Sequence, residues 1–161
     1  MVFQPTGPLN QIQIHYLKTM DSIEKIILDC DSYIREKTSA EFAFAGSCGL
    51  YLQNISLGRD IHDIDIKFLK LSRQKAISLN LEFTPKIDIL SDYRVKDIEY
   101  VKVELGSKTL LVEEVKSLVE AKKNMLDFLL NRAKIMDEWR IAQKEKLIRD
   151  LEYLKKEYNL E

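Results

Sequence analysis

The chain has 161 residues, 45% hydrophobic and 32% charged, which suits one globular domain, since domains commonly fall at about 100 to 150 residues. Its formal net charge of -1 lacks the basic bulk of a dedicated nucleic-acid binder and leaves only a local patch for that role. Cys30 and Cys48 form no CxxC pair and have no His cluster beside them, which argues against a disulfide framework or a structural zinc site and for two reduced, buried thiols.

Along the chain, Pro5, Gly7 and Pro8 mark a short irregular leader. Its stretch MVFQPTGPLNQ shows neither the basic start nor the apolar core of a secretory signal, and no apolar run reaches the roughly 20 residues that span a bilayer. A cytoplasmic protein with no membrane partner is the expectation. Ile12, Tyr16, Ile23, Ile26, Ile27 and Ile34 then recur at helical spacing up to about Lys37, predicting one long or two short helices.

EFAFAG stops abruptly at Gly46 and Ser47, as a short buried strand entering a helix through GSCGLYLQNI does. SLGRDIH is a loop, and DIDIKFL alternates with the period of two of a strand. LSRQKAISL predicts a short helix from near Ser72, and FTPKIDIL a third strand despite Pro85. IEYVKVEL and KTLLV, joined by Gly106 and Ser107, predict a hairpin. From Val112 onward the apolar residues fall at helical spacing among many Lys and Glu, giving two or three packed helices in which Trp139 is assigned to the core. The fold expected is α+β, a small mixed sheet of about five strands with an N-terminal helix and two or three C-terminal helices. Residues 1–161 make one domain, with a catalytic core at about 40–111 and a helical part at about 112–158.

Asp63 and Asp65, two apart on a strand, point to the same face and bring hard oxygen ligands together, as a site for one or two divalent cations requires. With twelve Asp in the chain, on the order of one DxD pair is expected by chance, so the pair carries weight only through its context. Asp29 and Asp31 make the comparison, because two apart on a helix they do not face one another. Gly46 and Ser47 are small residues at a strand-to-helix turn, where backbone amides can approach a phosphate, although such a turn also serves plain chain reversal. Asp88, set between Ile87 and Ile89, can complete a carboxylate triad and act as general base, or simply face solvent. Arg59 in the loop ahead of the acidic strand is a candidate phosphate contact, or an exposed loop arginine. His62 is assigned as a loop histidine and Cys48 as a buried packing residue.

AGSCGLYL, DIDI and KIDIL, in that order between Phe42 and Leu90, resemble the signature of the nucleotidyltransferase superfamily that shares its catalytic core with DNA polymerase beta. In size and layout the chain is similar to small bacterial lincosamide and aminoglycoside nucleotidyltransferases and, more closely, to the toxin-type nucleotidyltransferases of abortive-infection systems. A looser match joins TLLVEEVKSLVEAKK and RAKIMDEW to the family's hairpin, Lys-bearing helix and RxKxxD helix, at Lys123, Arg132, Lys134 and Asp137. The resemblance implies transfer of a nucleoside monophosphate from an NTP to a hydroxyl or phosphate acceptor. Asp63, Asp65 and Asp88 would be the catalytic carboxylates on magnesium or manganese. Gly46 and Ser47 would hold the triphosphate, with Lys123, Arg132 or Lys134 neutralising its charge. The acceptor, whether small molecule, RNA or protein, is left open, as are a cognate antitoxin and self-association through the C-terminal helices. A non-catalytic nucleotide-binding or protein-interaction member of the same fold is the competing reading.

Overall fold

The structure, a computed structural model, describes the backbone of residues 11–90 and 98–160, and side chains from residue 23 onward. The leader with Pro5, Gly7 and Pro8 lies outside the described residues. The architecture is α+β: helix α1 (Gln11–Lys37), strand β1 (Phe42–Ala45), helix α2 (Gly46–Leu52), strand β2 (Ile64–Phe68), helix α3 (Arg73–Ser78), strand β3 (Ile87–Ile89), the hairpin β4 (Tyr100–Leu105) and β5 (Lys108–Glu113), and helices α4 (Val115–Asn131) and α5 (Glu138–Tyr158). The five strands form one mixed sheet in the order β3-β2-β1-β5-β4. β1 runs antiparallel to β2 and parallel to β5, and β2 runs parallel to β3.

Alternation along the strands gives the sheet two unlike faces. Phe42 and Phe44 of β1, Ile64, Ile66 and Phe68 of β2, Ile87 and Val112 pack with Ile27, Cys30 and Ile34 of α1 into the main core. Each large side chain buried there contributes about 1.5 to 3 kcal/mol. The opposite face carries Ala43 and Ala45 of β1, paired with Lys67 and Asp65 of β2, and is covered by α4 and α5, whose Leu118, Val119 and Leu154 bury against Ala45 and Leu50. The acidic strand therefore turns its apolar residues toward α1 and its charged ones toward the C-terminal helices.

Local signals set the helix ends. Ser72 caps α3 by accepting from the Lys75 amide, Glu114 caps α4 through the Lys116 amide and Asp137 caps α5 through the Arg140 amide. Three expectations are corrected. β5 continues through Glu113, so the helical part begins at Val115 rather than Val112, because Glu114 supplies the cap. RAKIMD does not open a helix: Arg132 closes α4, and Asp137 is the α5 cap after a short connection. Trp139 is not core but 64% exposed, since α5 meets α4 through Leu147 and Leu154 further along and leaves its first turns uncovered. No helix among the described residues is long and apolar enough to cross a membrane.

Candidate active site

Between the charged face of the sheet and the α4–α5 pair lies an open cavity of about 300 Å³, lined by Gly46, Ser47, Arg59, Asp65, Lys67, Glu113, Lys122, Gln143, Lys146 and Asp150 among others. Its floor begins with Asp65. The parallel pairing of β2 and β3 sets Asp65 in register with Asp88 and Ile64 with Ile87, so the two carboxylates stand side by side on one face. Asp63 occupies the bend just before β2 and is exposed. Burial, then the negative charges of Asp88 and Asp63, push the Asp65 carboxyl up to about 6, against the opposing pull of Lys122 and Lys146.

Gly46 accounts for the tightness of this corner. Its φ of +57 lies in the left-handed region, and a Cβ there would fall within 2.8 Å of Asp65 Cγ and closer still to Oδ2. Only a residue without a side chain lets the backbone turn directly over that carboxylate. Ser47 follows, and its Oγ accepts from Arg59 Nη2 at 3.3 Å.

Arg59 is placed by a second close approach. Gly58, with φ +72, leaves room for the Tyr153 ring of α5, which a Cβ would meet at 2.9 Å. The loop thereby delivers Arg59 to Asp150, with Nε to Oδ1 at 3.0 Å and Nη2 to Oδ2 at 2.8 Å, a bidentate fork. Lys122 Nζ also donates to Asp150 Oδ2, at 3.1 Å. Burial raises the Asp150 carboxyl, but the Arg59 hydrogen bond and the Lys122 charge outweigh it and hold the group below the usual carboxylate range. Burial draws the Lys122 ammonium below its usual range, opposed by Asp150. One buried carboxylate thus fixes two cations at the mouth of the Gly46–Ser47 turn.

A buried ion pair completes the floor. Lys67 of β2 and Glu113 of β5 stand on either side of β1, and Lys67 Nζ donates to Glu113 Oε1. The side chains between them are Ala43 and Ala45, short enough for the two long ones to meet across the strand.

Of the residues that the sequence puts forward, Gly46, Ser47, Arg59 and Asp65 meet in the cavity, with Asp88 adjoining Asp65 and ion-paired to exposed Lys86. Lys123, Arg132 and Lys134 do not: all three are exposed, and Arg132 pairs with Asp127. The cation from α4 is Lys122, one residue earlier, and α5 contributes Lys146 and Asp150, which sequence reasoning missed. Their signal was available, because Lys122 and Asp150 interrupt apolar helical stripes at Leu118, Val119 and Leu129 and at Leu147, Leu151 and Leu154. His62 is an exposed loop residue, and Cys48 is buried, with its thiol raised by desolvation first and then by Cys30 and Asp65, as an inert packing thiol should be.

For a divalent cation, the donor chemistry is suitable, since Asp65 and Asp88 offer adjacent hard oxygens in a corner where a neighbouring Cβ is excluded. Among the described residues, no three His, Cys, Asp or Glu side chains converge in a metal-holding group. No protein-family model, curated protein or solved structure matches this chain.

Proposed function

We propose that this chain is a metal-dependent nucleotidyltransferase, moving a nucleoside monophosphate from an NTP to a hydroxyl or phosphate acceptor. The observation that carries the proposal is the pairing of Asp65 with Asp88 on one face of the sheet, under a Gly46 backbone that only glycine allows, opposite Arg59, Lys122 and Lys146. The resemblance of the Gly-Ser turn, DxD strand and later carboxylate to the nucleotidyltransferase signature points the same way.

Asp65 and Asp88 would hold magnesium or manganese, which when bound would neutralise charge on the triphosphate, and Asp63 at the strand entrance adds its negative charge beside them. Arg59 and Lys122, pre-positioned by Asp150, and Lys146 bind the polyphosphate and orient it. The acceptor oxygen attacks the α-phosphorus in line, its hydroxyl proton passes to Asp88 as general base, and the bond to pyrophosphate breaks.

Labelled NTPs with magnesium or manganese, incubated with pooled RNA, small-molecule and protein acceptors, test this directly. Transfer by the wild type and none by Asp65→Asn or Asp63→Asn is expected. A wild type that neither binds metal-NTP nor transfers label, with variants identical to it, ends the catalytic reading. Nucleotide binding without transfer would favour the non-catalytic member, which the exposure of Asp63 and its position outside the cavity support.

A further inference from the structure

Strand β4 ends the sheet, and among the described residues it is paired on one side only, with β5. Its side chains alternate. Val101, Val103 and Leu105 share the α1 face with Leu110 and Val112 of β5, yet they are only partly buried where those two are almost wholly so. Lys102 and Glu104 stand exposed on the other face. The backbone fixes which groups point outward. The Glu114 amide donates to the Glu99 carbonyl at 2.8 Å, and this pair continues the register that sets Tyr100 opposite Glu113. Val101, Val103 and Leu105 therefore turn their N–H and C=O groups toward β5, and Lys102 and Glu104 turn theirs away from it.

We infer that β4 is a self-association edge, pairing antiparallel with β4 of a second copy about a two-fold axis at Val103 and joining two five-stranded sheets into one. Register and charge identify the occupant. This pairing sets Lys102 opposite the partner's Glu104, and Glu104 opposite the partner's Lys102. Both residues turn their backbone groups outward, so each such pair can exchange two N–H···O=C bonds, and each carries opposite charges. Neighbouring registers fail on one count or the other. A two-fold at Lys102 sets Lys against Lys, and one at Glu104 sets Glu against Glu. A slip of one residue mismatches the outward groups and turns the apolar residues of the two strands to opposite faces. Charge of one sign along an edge blocks pairing, whereas the two signs here select a single register. On the α1 face, Val103 meets the partner's Val103 and Val101 meets the partner's Leu105, covering the apolar surface that β5 leaves open. The contact is isologous, so it closes at two copies. Being one strand wide, it makes a weak dimer, in the micromolar range. The inference is independent of the nucleotidyltransferase reading.

Sedimentation equilibrium of the full chain between about 1 and 500 µM tests it. The wild type should show a monomer–dimer equilibrium. Lys102→Glu and Glu104→Lys each turn two attractive pairs into two repulsive ones, and each should weaken the dimer about 10-fold to 100-fold. An equimolar mixture of the two variants again places opposite charges at both pairs and should form a heterodimer of about wild-type affinity. A chain carrying both substitutions should recover the homodimer. Because both side chains are exposed, unchanged melting profiles verify that the variants fold. A wild type that stays monomeric at the top of the range overturns the inference, as do assemblies that grow beyond two copies. Single variants that dimerise like the wild type also overturn it, and a dimer that Trp139→Ala alone abolishes moves self-association to the exposed start of α5. Loss in both single variants that neither the mixture nor the double substitution restores overturns the register.

Discussion

Asp65→Asn should make the protein more stable while ending transfer. Burial and the charges of Asp88 and Asp63 raise the Asp65 carboxyl from 3.8 to about 6, which corresponds to a penalty of about 3 kcal/mol on the ionised form at about 1.36 kcal/mol per tenfold change. The folded state holds this proton more tightly than the unfolded one, so between about pH 4 and 6 folding takes up protons and stability falls as pH rises. Above about pH 6 the full penalty is present, and below about pH 4 it is absent. An amide of the same shape removes the charge but retains its own desolvation cost, leaving a net gain of about 1 to 2 kcal/mol. For a chain of this length that raises Tm by about 2 to 8 °C. Thermal melts of both proteins from pH 4.5 to 8, without divalent metal, measure the difference. It should be smallest at the acid end, grow through pH 5 to 6 and level off. A constant difference, or an Asn variant that melts lower at pH 7.5, refutes the claim that burial and the neighbouring carboxylates penalise the ionised Asp65.

Three further outcomes follow from the same geometry. Gly46→Ala should lose about 2 to 4 kcal/mol by urea unfolding, from left-handed strain and the contact with Asp65, and Asp65→Ala added to it should recover the steric part, so additive losses would remove the contact from the argument. Lys67→Met leaves Glu113 buried without its ammonium and should cost about 3 to 5 kcal/mol, whereas Lys67→Met with Glu113→Leu should restore most of it; equal losses in both would show that packing rather than charge is responsible. Asp150→Asn should lower both Tm and tripolyphosphate affinity by releasing Arg59 and Lys122. Because the Asp150 carboxyl is depressed, the Tm gap should be full above about pH 4 and close only below it, and a gap that widens on acidification contradicts the ion-pair account.

The strands were legible because alternation is a local signal. FAFA, IDIKF and IDI each state which residues face together, and the β2–β3 register then put Asp65 beside Asp88 as the spacing had suggested. Asp63 stands one residue ahead of β2, which begins at Ile64, a boundary that the same alternation does not reveal. The helical half was less legible. RAKIMD matched a helical motif by letters, yet α4 closes at Arg132 and Asp137 caps the start of α5, so no helix runs through the stretch. Lys122 and Lys123 are indistinguishable as letters, and only the 3.6-residue period puts one into the cavity and the other into solvent. Asp150 was visible as a charge interrupting an apolar stripe, but its partner Arg59 lies 91 residues away, and the pairing itself leaves no trace in a single sequence.

The division between the sheet faces explains why the charges can be held in one place. Asp65, Lys67 and Glu113 are each costly to bury, and β1 contributes to this only by being small, since Ala43 and Ala45 leave space above the strand. The same strand's Phe42 and Phe44 fill the opposite core, where apolar burial offsets the strain of the charged face. β1 therefore links stability to site geometry residue by residue. Ala43→Val would be tolerated by strand propensity, which favours Val, but would intrude between Lys67 and Glu113. A variant that keeps its fold while the ion pair is displaced would separate the two roles of the strand. Lowered tripolyphosphate affinity in that variant would show that the pair shapes the cavity floor, and unchanged affinity would confine it to holding β2 and β5 together.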